Sequence, residues 1–188
     1  GLEHLNTGSA AIVLSNHQSA WETIAFRYLL PPQTSLVKQS LLWIPFWGWA
    51  MATLKPIAID RNNKHAALRK LISHGTEALK QGLWIIVFPE GTSTKGEEVL
   101  PFNSSFLEFA ARSGIPVSYA SITYTTPAGE LSASTAACWW DDITFFAHLW
   151  RLLKVREYTA ILVFGDEPVV NPDRKKLASE LRDRVTES

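Results

Sequence analysis

A single cysteine stands among the 188 residues, at position 138, which excludes an internal disulfide and offers no cysteine spacing for zinc. With no oxidised framework to protect, a reducing compartment is the natural setting. Charge of one sign is also missing. The 18 Lys and Arg balance 18 Asp and Glu, and no dense basic cluster runs along a predicted helix, so nothing points to nucleic acid as a partner. No apolar run reaches the roughly 20 residues that a membrane-crossing helix needs, and no secretory leader is visible. Internal repeats and low-complexity tracts are absent. The histidines at 4, 17, 65, 74 and 148 show no clustering of the metal-ligand kind, and neither a metal nor an organic cofactor is expected.

What is present is enough for one domain with a real core, spanning residues 1–188. Eight tryptophans are many for this length, and Trp43, Trp47, Trp49, Trp139, Trp140 and Trp150 fall in two neighbourhoods. Indoles favour ligand clefts and water–lipid boundaries, although most tryptophans in globular domains are core. The chain starts at Gly1 rather than Met, which leaves room for an upstream membrane-anchoring segment.

Strand and helix patterns alternate along the chain. Apolar strands are predicted over 10–14, 35–38, 55–61, 83–88, 115–124 and 158–164, and helices over 20–30, 64–81, 103–112, 144–154 and 173–185. Pro31-Pro32 ends the first helix, and Gly82 and Gly114 are placed to end two others. The stretch 131–142 is ambiguous. From Ser40 to Leu54 there is no charge, but Pro45 and Gly48 break the run, so it reads as a helical surface against lipid or an acyl chain, or as a kinked core pair. Such alternation implies a layered α/β domain: a mostly parallel central sheet flanked by helices. In that architecture ligands gather beyond the C-terminal ends of the strands.

Three polar clusters follow predicted strands: Asn16-His17-Gln18-Ser19-Ala20-Trp21-Glu22, Asp60-Arg61, and Pro89-Glu90-Gly91-Thr92-Ser93. On one continuous helix, His17 and Glu22 would point about 140° apart. Placed in a strand-to-helix loop with Glu22 in the first helical turn, the imidazole can fold back onto the carboxylate, which is how an acid orients a base. Ser19 and Glu22 also fit a capping box, in which Glu22 does no more than satisfy a main-chain N–H. A carboxylate has two oxygens, so the two roles are compatible.

These blocks resemble the glycerolipid acyltransferases typified by bacterial lysophosphatidic acid acyltransferase, over nearly the whole chain. Asn16 to Glu22 resembles the family's first block, Lys55 to Arg61 the second, Phe88 to Thr92 the third, and Ile115-Pro116-Val117 with the strand after it the fourth. The resemblance implies the family fold and transfer of a fatty acyl group from acyl-CoA or acyl carrier protein to a lysolipid hydroxyl, most naturally 1-acylglycerol-3-phosphate. It implies His17 as general base, Glu22 as its orienting partner, and Arg61, Glu90, Gly91 and Thr92 at the acceptor, with Lys38 as a further candidate. It also implies work at a membrane surface facing a reducing, cytoplasmic compartment.

Two positions depart from the family pattern. Glu22 stands where Asp is usual, adding one methylene, and Ser93 stands where the third block commonly carries Arg. The second departure removes one phosphate ligand and leaves room for another lysolipid, such as a lyso-ornithine lipid. Two other readings use the same residues: a thioesterase-like hydrolase in which the base activates water, and a lipid-binding domain that keeps the fold without the chemistry.

Overall fold

The computed structural model describes residues 1–5, 10–30, 32–60 and 64–188. Six strands form one sheet: β1 Ile12–Ser15, β2 Gln33–Lys38, β3 Ile57–Ile59, β4 Trp84–Val87, β5 Val117–Thr125 and β6 Thr159–Phe164. Their spatial order is β3-β2-β4-β1-β5-β6. All neighbouring pairs run parallel except β5 and β6, which are antiparallel. The helices are α1 Glu22–Leu29, α2 Trp47–Thr53, α3 Lys64–Lys80, α4 Glu108–Ser113, α5 Ala133–Ala136, α6 Phe145–Leu152 and α7 Arg174–Glu187. The α/β class and the mostly parallel sheet are those expected from the alternation of patterns.

The central strands β1 and β4 are buried along their whole length, and all their residues but Ser15 are apolar, because both faces are covered. Successive side chains point to opposite faces, so Ile12 and Leu14 join one core with Ile85, Val87 and Val117, closed by Leu177 and Leu181 of α7. Val13, Trp84 and Ile86 face the other way and pack on Phe26 of α1 and Phe164 of β6. Crossover helices on both sides are what parallel pairing demands.

The uncharged stretch resolves into a 3-10 turn, Gln39–Trp43, followed by α2. Gly48 lets them pack: a Cβ there would lie 2.1 Å from the carbonyl oxygen of Leu42. The helix expected over 103–112 is a 3-10 turn, Ser104–Leu107, that continues as α4. Gly114, with φ +60°, ends it in the left-handed conformation glycine favours. The ambiguous stretch holds only the single turn of α5.

The sheet sets the register of the site. Leu14 of β1 pairs with Val87 of β4. His17 and Glu90 therefore both lie three residues beyond paired positions on adjacent parallel strands.

Candidate active site

Glu22 opens α1 and is fully buried. A buried carboxylate is costly unless donors surround it, and here the loop supplies them. Its Oε1 accepts the main-chain N–H groups of Gln18 and Ser19, each at 2.7 Å. Its Oε2 lies 2.5 Å from Nδ1 of His17. The helix N-terminus adds a favourable dipole for the negative charge. One oxygen thus serves the main chain and the other the imidazole. An ionised partner on Nδ1 places the ring proton there, leaving the Nε2 lone pair for chemistry. No described residue engages Nε2.

The main chain around His17 is clamped on both sides. Its N–H donates to Oε1 of Glu90 at 2.6 Å, and its carbonyl accepts from the N–H of Thr94 at 2.8 Å. The imidazole stacks on Phe88, with ring centroids 4.5 Å apart. Neighbouring residues anchor the loop to β5: the Asn16 amide exchanges two hydrogen bonds with the main chain of Ile122, at 2.8 and 2.9 Å. Gln18 adds a third, from Nε2 to the same carbonyl at 2.7 Å.

A cleft of about 350 Å³ opens above His17. Lys38, Gly91, Thr92 and Ser93 line it with His17, as do Leu36, Leu41, Leu42, Trp47 and Met51 from β2, the 3-10 turn and α2. The far wall is Trp139, Trp140, Asp141, Asp142 and Ile143. That wall is held in place by a bond from the Trp139 N–H to the Gln18 carbonyl at 2.7 Å and another from the Ser93 hydroxyl to the Trp139 carbonyl.

Of the residues singled out from the sequence, His17, Lys38, Gly91 and Thr92 meet in this cleft, and Glu22 lies directly behind His17. Glu90 stands apart from the acceptor role the resemblance gave it. It does not line the cleft, and both its oxygens are engaged by main chain, Oε1 by His17 and Oε2 by the Leu100 N–H at 2.9 Å. Burial raises its pKa, against the pull of those two N–H groups. Arg61 lies outside the described residues. Sequence reasoning missed the anchors Asn16 and Gln18, the stacking partner Phe88 and the far wall. Only the Trp139-Trp140 pair carried a signal for the wall.

A strand-end imidazole with its Nδ1 on a buried carboxylate, at the base of a partly apolar cleft, has the geometry to accept a proton at Nε2. A family model described as Acyltransferase matches residues 1–123, and the chain belongs to that family. A 1-acyl-sn-glycerol-3-phosphate acyltransferase of Pseudomonas aeruginosa is 41% identical over 117 residues, 62% of this chain and 45% of that protein. The Escherichia coli protein of the same name is 34% identical over 111 residues, 57% of this chain and 44% of its own length. The chain spans about half the length of these curated relatives. The crystal structure of the 1-acyl-sn-glycerophosphate (LPA) acyltransferase PlsC from Thermotoga maritima matches 100% of this chain and 69% of its own, with TM-score 0.63 and 26% identity. The far wall of the cleft comes from residues beyond the stretch that the family model matches.

Proposed function

We propose that residues 1–188 form an acyltransferase domain that moves a fatty acyl group from acyl-CoA or acyl carrier protein to the free hydroxyl of 1-acylglycerol-3-phosphate, giving phosphatidic acid. The observation that carries this reading is the 2.5 Å contact between His17 Nδ1 and Glu22 Oε2, with Nε2 engaged by no described residue. The names of the relatives support the choice of reaction.

In the proposed step, the acceptor hydroxyl attacks the thioester carbonyl carbon while its proton passes to His17 Nε2. The tetrahedral intermediate then collapses, the C–S bond breaks, and the leaving sulfur takes the proton back from the imidazolium. Glu22 orients the ring and stabilises the transient cation. Since the substrate supplies the nucleophilic oxygen, no enzyme serine is needed. The apolar walls suit an acyl chain, at about 0.8 kcal/mol per buried methylene. Thr92 and Lys38 are assigned to the acceptor head, and Arg61 by resemblance alone. Glu90 is assigned to holding the His17 loop. The enzyme works without a metal or organic cofactor, at a membrane surface facing a reducing compartment.

A second acceptor is favoured by one feature. Ser93 turns its hydroxyl to a carbonyl, and among the described lining residues Asp141 and Asp142 outnumber Lys38. An amine-bearing acceptor such as a lyso-ornithine lipid fits that balance. Thiol release from a long-chain acyl-CoA, measured with lysophosphatidic acid, with a lyso-ornithine lipid and with no acceptor, separates the readings. Release dependent on His17 and on lysophosphatidic acid is the expected result. Release that ignores the acceptor would replace transfer by hydrolysis, and release that survives His17→Ala would end the general-base assignment.

A further inference from the structure

Helix α6 is apolar outward as well as inward: Phe145 is buried and Leu152 packs against the core, yet large apolar side chains also face out. A helix packed on a domain normally turns its apolar stripe inward and its polar face to water. In α6 the inward positions include His148, 1% exposed and with no partner for Nε2 among the described residues. The outward stripe, at i, i+4 and i+7, is Phe146, Trp150 and Leu153, which are 60, 64 and 70% exposed. No polar group interrupts it. This helix falls beyond the region that the family model matches.

The stripe is not isolated. Phe145 at the start of α6 packs on Trp47 of α2, ring centroids 5.1 Å apart, and Trp47 lines the cleft. The 3-10 turn and α2 carry their own outward apolar group: Trp43, Phe46 and Trp49, 79, 74 and 65% exposed. Two exposed aromatic surfaces therefore belong to elements that touch each other beside the cleft. Arg151 within the span of the stripe and Lys154 and Arg156 after it put three cations at this end of α6 against the acid Glu157, while Asp141 and Asp142 stand at the other end, on the cleft wall. Lys154 reaches back over Trp150, its Nζ 5.7 Å from the ring centroid. An apolar aromatic face with Lys and Arg at its edge is the composition that settles into the headgroup region of an anionic bilayer, with the long basic side chains reaching toward the phosphates.

We propose that the outward stripe of α6, with the Trp43 to Trp49 surface, is the face on which this protein lies on an anionic lipid bilayer, the cleft mouth turned toward its lipid substrates. This rests on the acyl-transfer reading for its purpose, but its test does not need turnover. The intact chain is sedimented with vesicles of phosphatidylcholine alone and of phosphatidylcholine with phosphatidylglycerol. Binding is expected to be stronger with the anionic lipid and to fall at least tenfold in the double variant Phe146→Ser, Trp150→Ser. The exposed Val170→Ser should leave it unchanged. Lys154→Gln with Arg156→Gln should remove most of the gain from phosphatidylglycerol and spare binding to phosphatidylcholine. All the altered side chains are exposed, and an unchanged Tm shows that each variant folds. Thiol release with short-chain, water-dispersed substrates should stay within about twofold in these variants, so loss of docking and loss of chemistry read separately. Vesicle binding unaffected by the Phe146 and Trp150 changes would overturn the proposal. So would a concentration-dependent dimer that the same changes abolish in a protein that ignores vesicles, since the face would then cover a second copy.

Discussion

The base of the cleft and its rim are built on opposite rules. Around His17 the polar groups are tied in pairs: Glu22 holds three donors, Glu90 holds two main-chain N–H groups, and Asn16 and Gln18 grip one residue of β5. Along α2 and α6 large apolar side chains stand uncovered. Polar networks are directional and lose much when one member is altered, whereas apolar area is non-directional and adds up gradually. Changes at the base should therefore act on the chemical step, and changes at the rim on where the protein sits.

The largest effect is expected at the base itself. His17→Ala should lower kcat by about 10²- to 10⁴-fold, the usual contribution of a positioned base. Glu22→Gln is the sharper probe. Glutamine offers one acceptor and one donor where three donors converge, so either the main-chain bonds or the imidazole bond must face an N–H. If the amide donates to Nδ1, the ring proton moves to Nε2 and the base is in the wrong tautomer. A loss of about 10²-fold or more in kcat is expected, with folding retained by circular dichroism. Near-normal kcat would reduce Glu22 to a helix cap.

Glu90→Gln should come next, at about tenfold in kcat, the order of one hydrogen bond to a charged group. The side chain would present a donor to one of the two N–H groups it now accepts, and the His17 loop would lose a tether. The KM for the acceptor should hardly move. A rise in KM with kcat intact would return Glu90 to the acceptor role that the resemblance implied. Acid should mimic the substitution. Burial raises the Glu90 pKa, so the ionised form that accepts both bonds is present above that raised value and is lost as pH falls through it. Activity of the Glu90→Gln variant should lack this part of the acid limb.

The halves of the comparison differed in how far the sequence revealed them. The His17 and Glu22 pair was legible because strand, loop and helix signals are local, and five residues of chain leave few ways to join an imidazole to a carboxylate. Sheet order was not, since β4 enters between β1 and β2, and nothing local tells a strand which neighbour it will find. The contact of Glu90 with His17 depends on that order, because the pairing of Leu14 with Val87 brings the two strand ends together. The uncharged run 40–54 was visible, but not that one side of it lines the cleft while Trp43, Phe46 and Trp49 face outward. On α6 the exposed face is as apolar as the buried one, so periodicity could not say which side was in.

His148 tests the rim from beneath. Burial, aided by the positive charge of Arg151, lowers its pKa from the ordinary 6.5 to about 4. The unfolded chain binds that proton first on acidification, so stability that is complete above about 6.5 is lost as pH falls toward about 4. Replacing His148 by Phe keeps a ring against Trp139, on which His148 now stacks, and removes the titration. Its Tm should fall less than that of the parent between neutral and acid pH, by about 2–4 °C, the shift that 1 kcal/mol makes at this size. Parallel Tm curves would show that His148 is wet enough to titrate normally.

The smallest effect is expected farthest from the chemistry. Arg182 of α7 donates from Nη2 and Nε to the carbonyl of Val99, at 2.8 and 3.1 Å. The next residue, Leu100, gives its N–H to Glu90, and Glu90 in turn holds the N–H of His17. A C-terminal helix is thus linked to the base through one loop and one carboxylate. Arg182→Gln should cost about two- to threefold in kcat, because the loop keeps its other contacts, with acceptor KM unchanged. If the link runs through Glu90, the double variant with Glu90→Gln should be little worse than Glu90→Gln alone, since coupled neighbours do not add. Full additivity would mean that Arg182 only supports the fold and that the cleft base is braced from the sheet side alone.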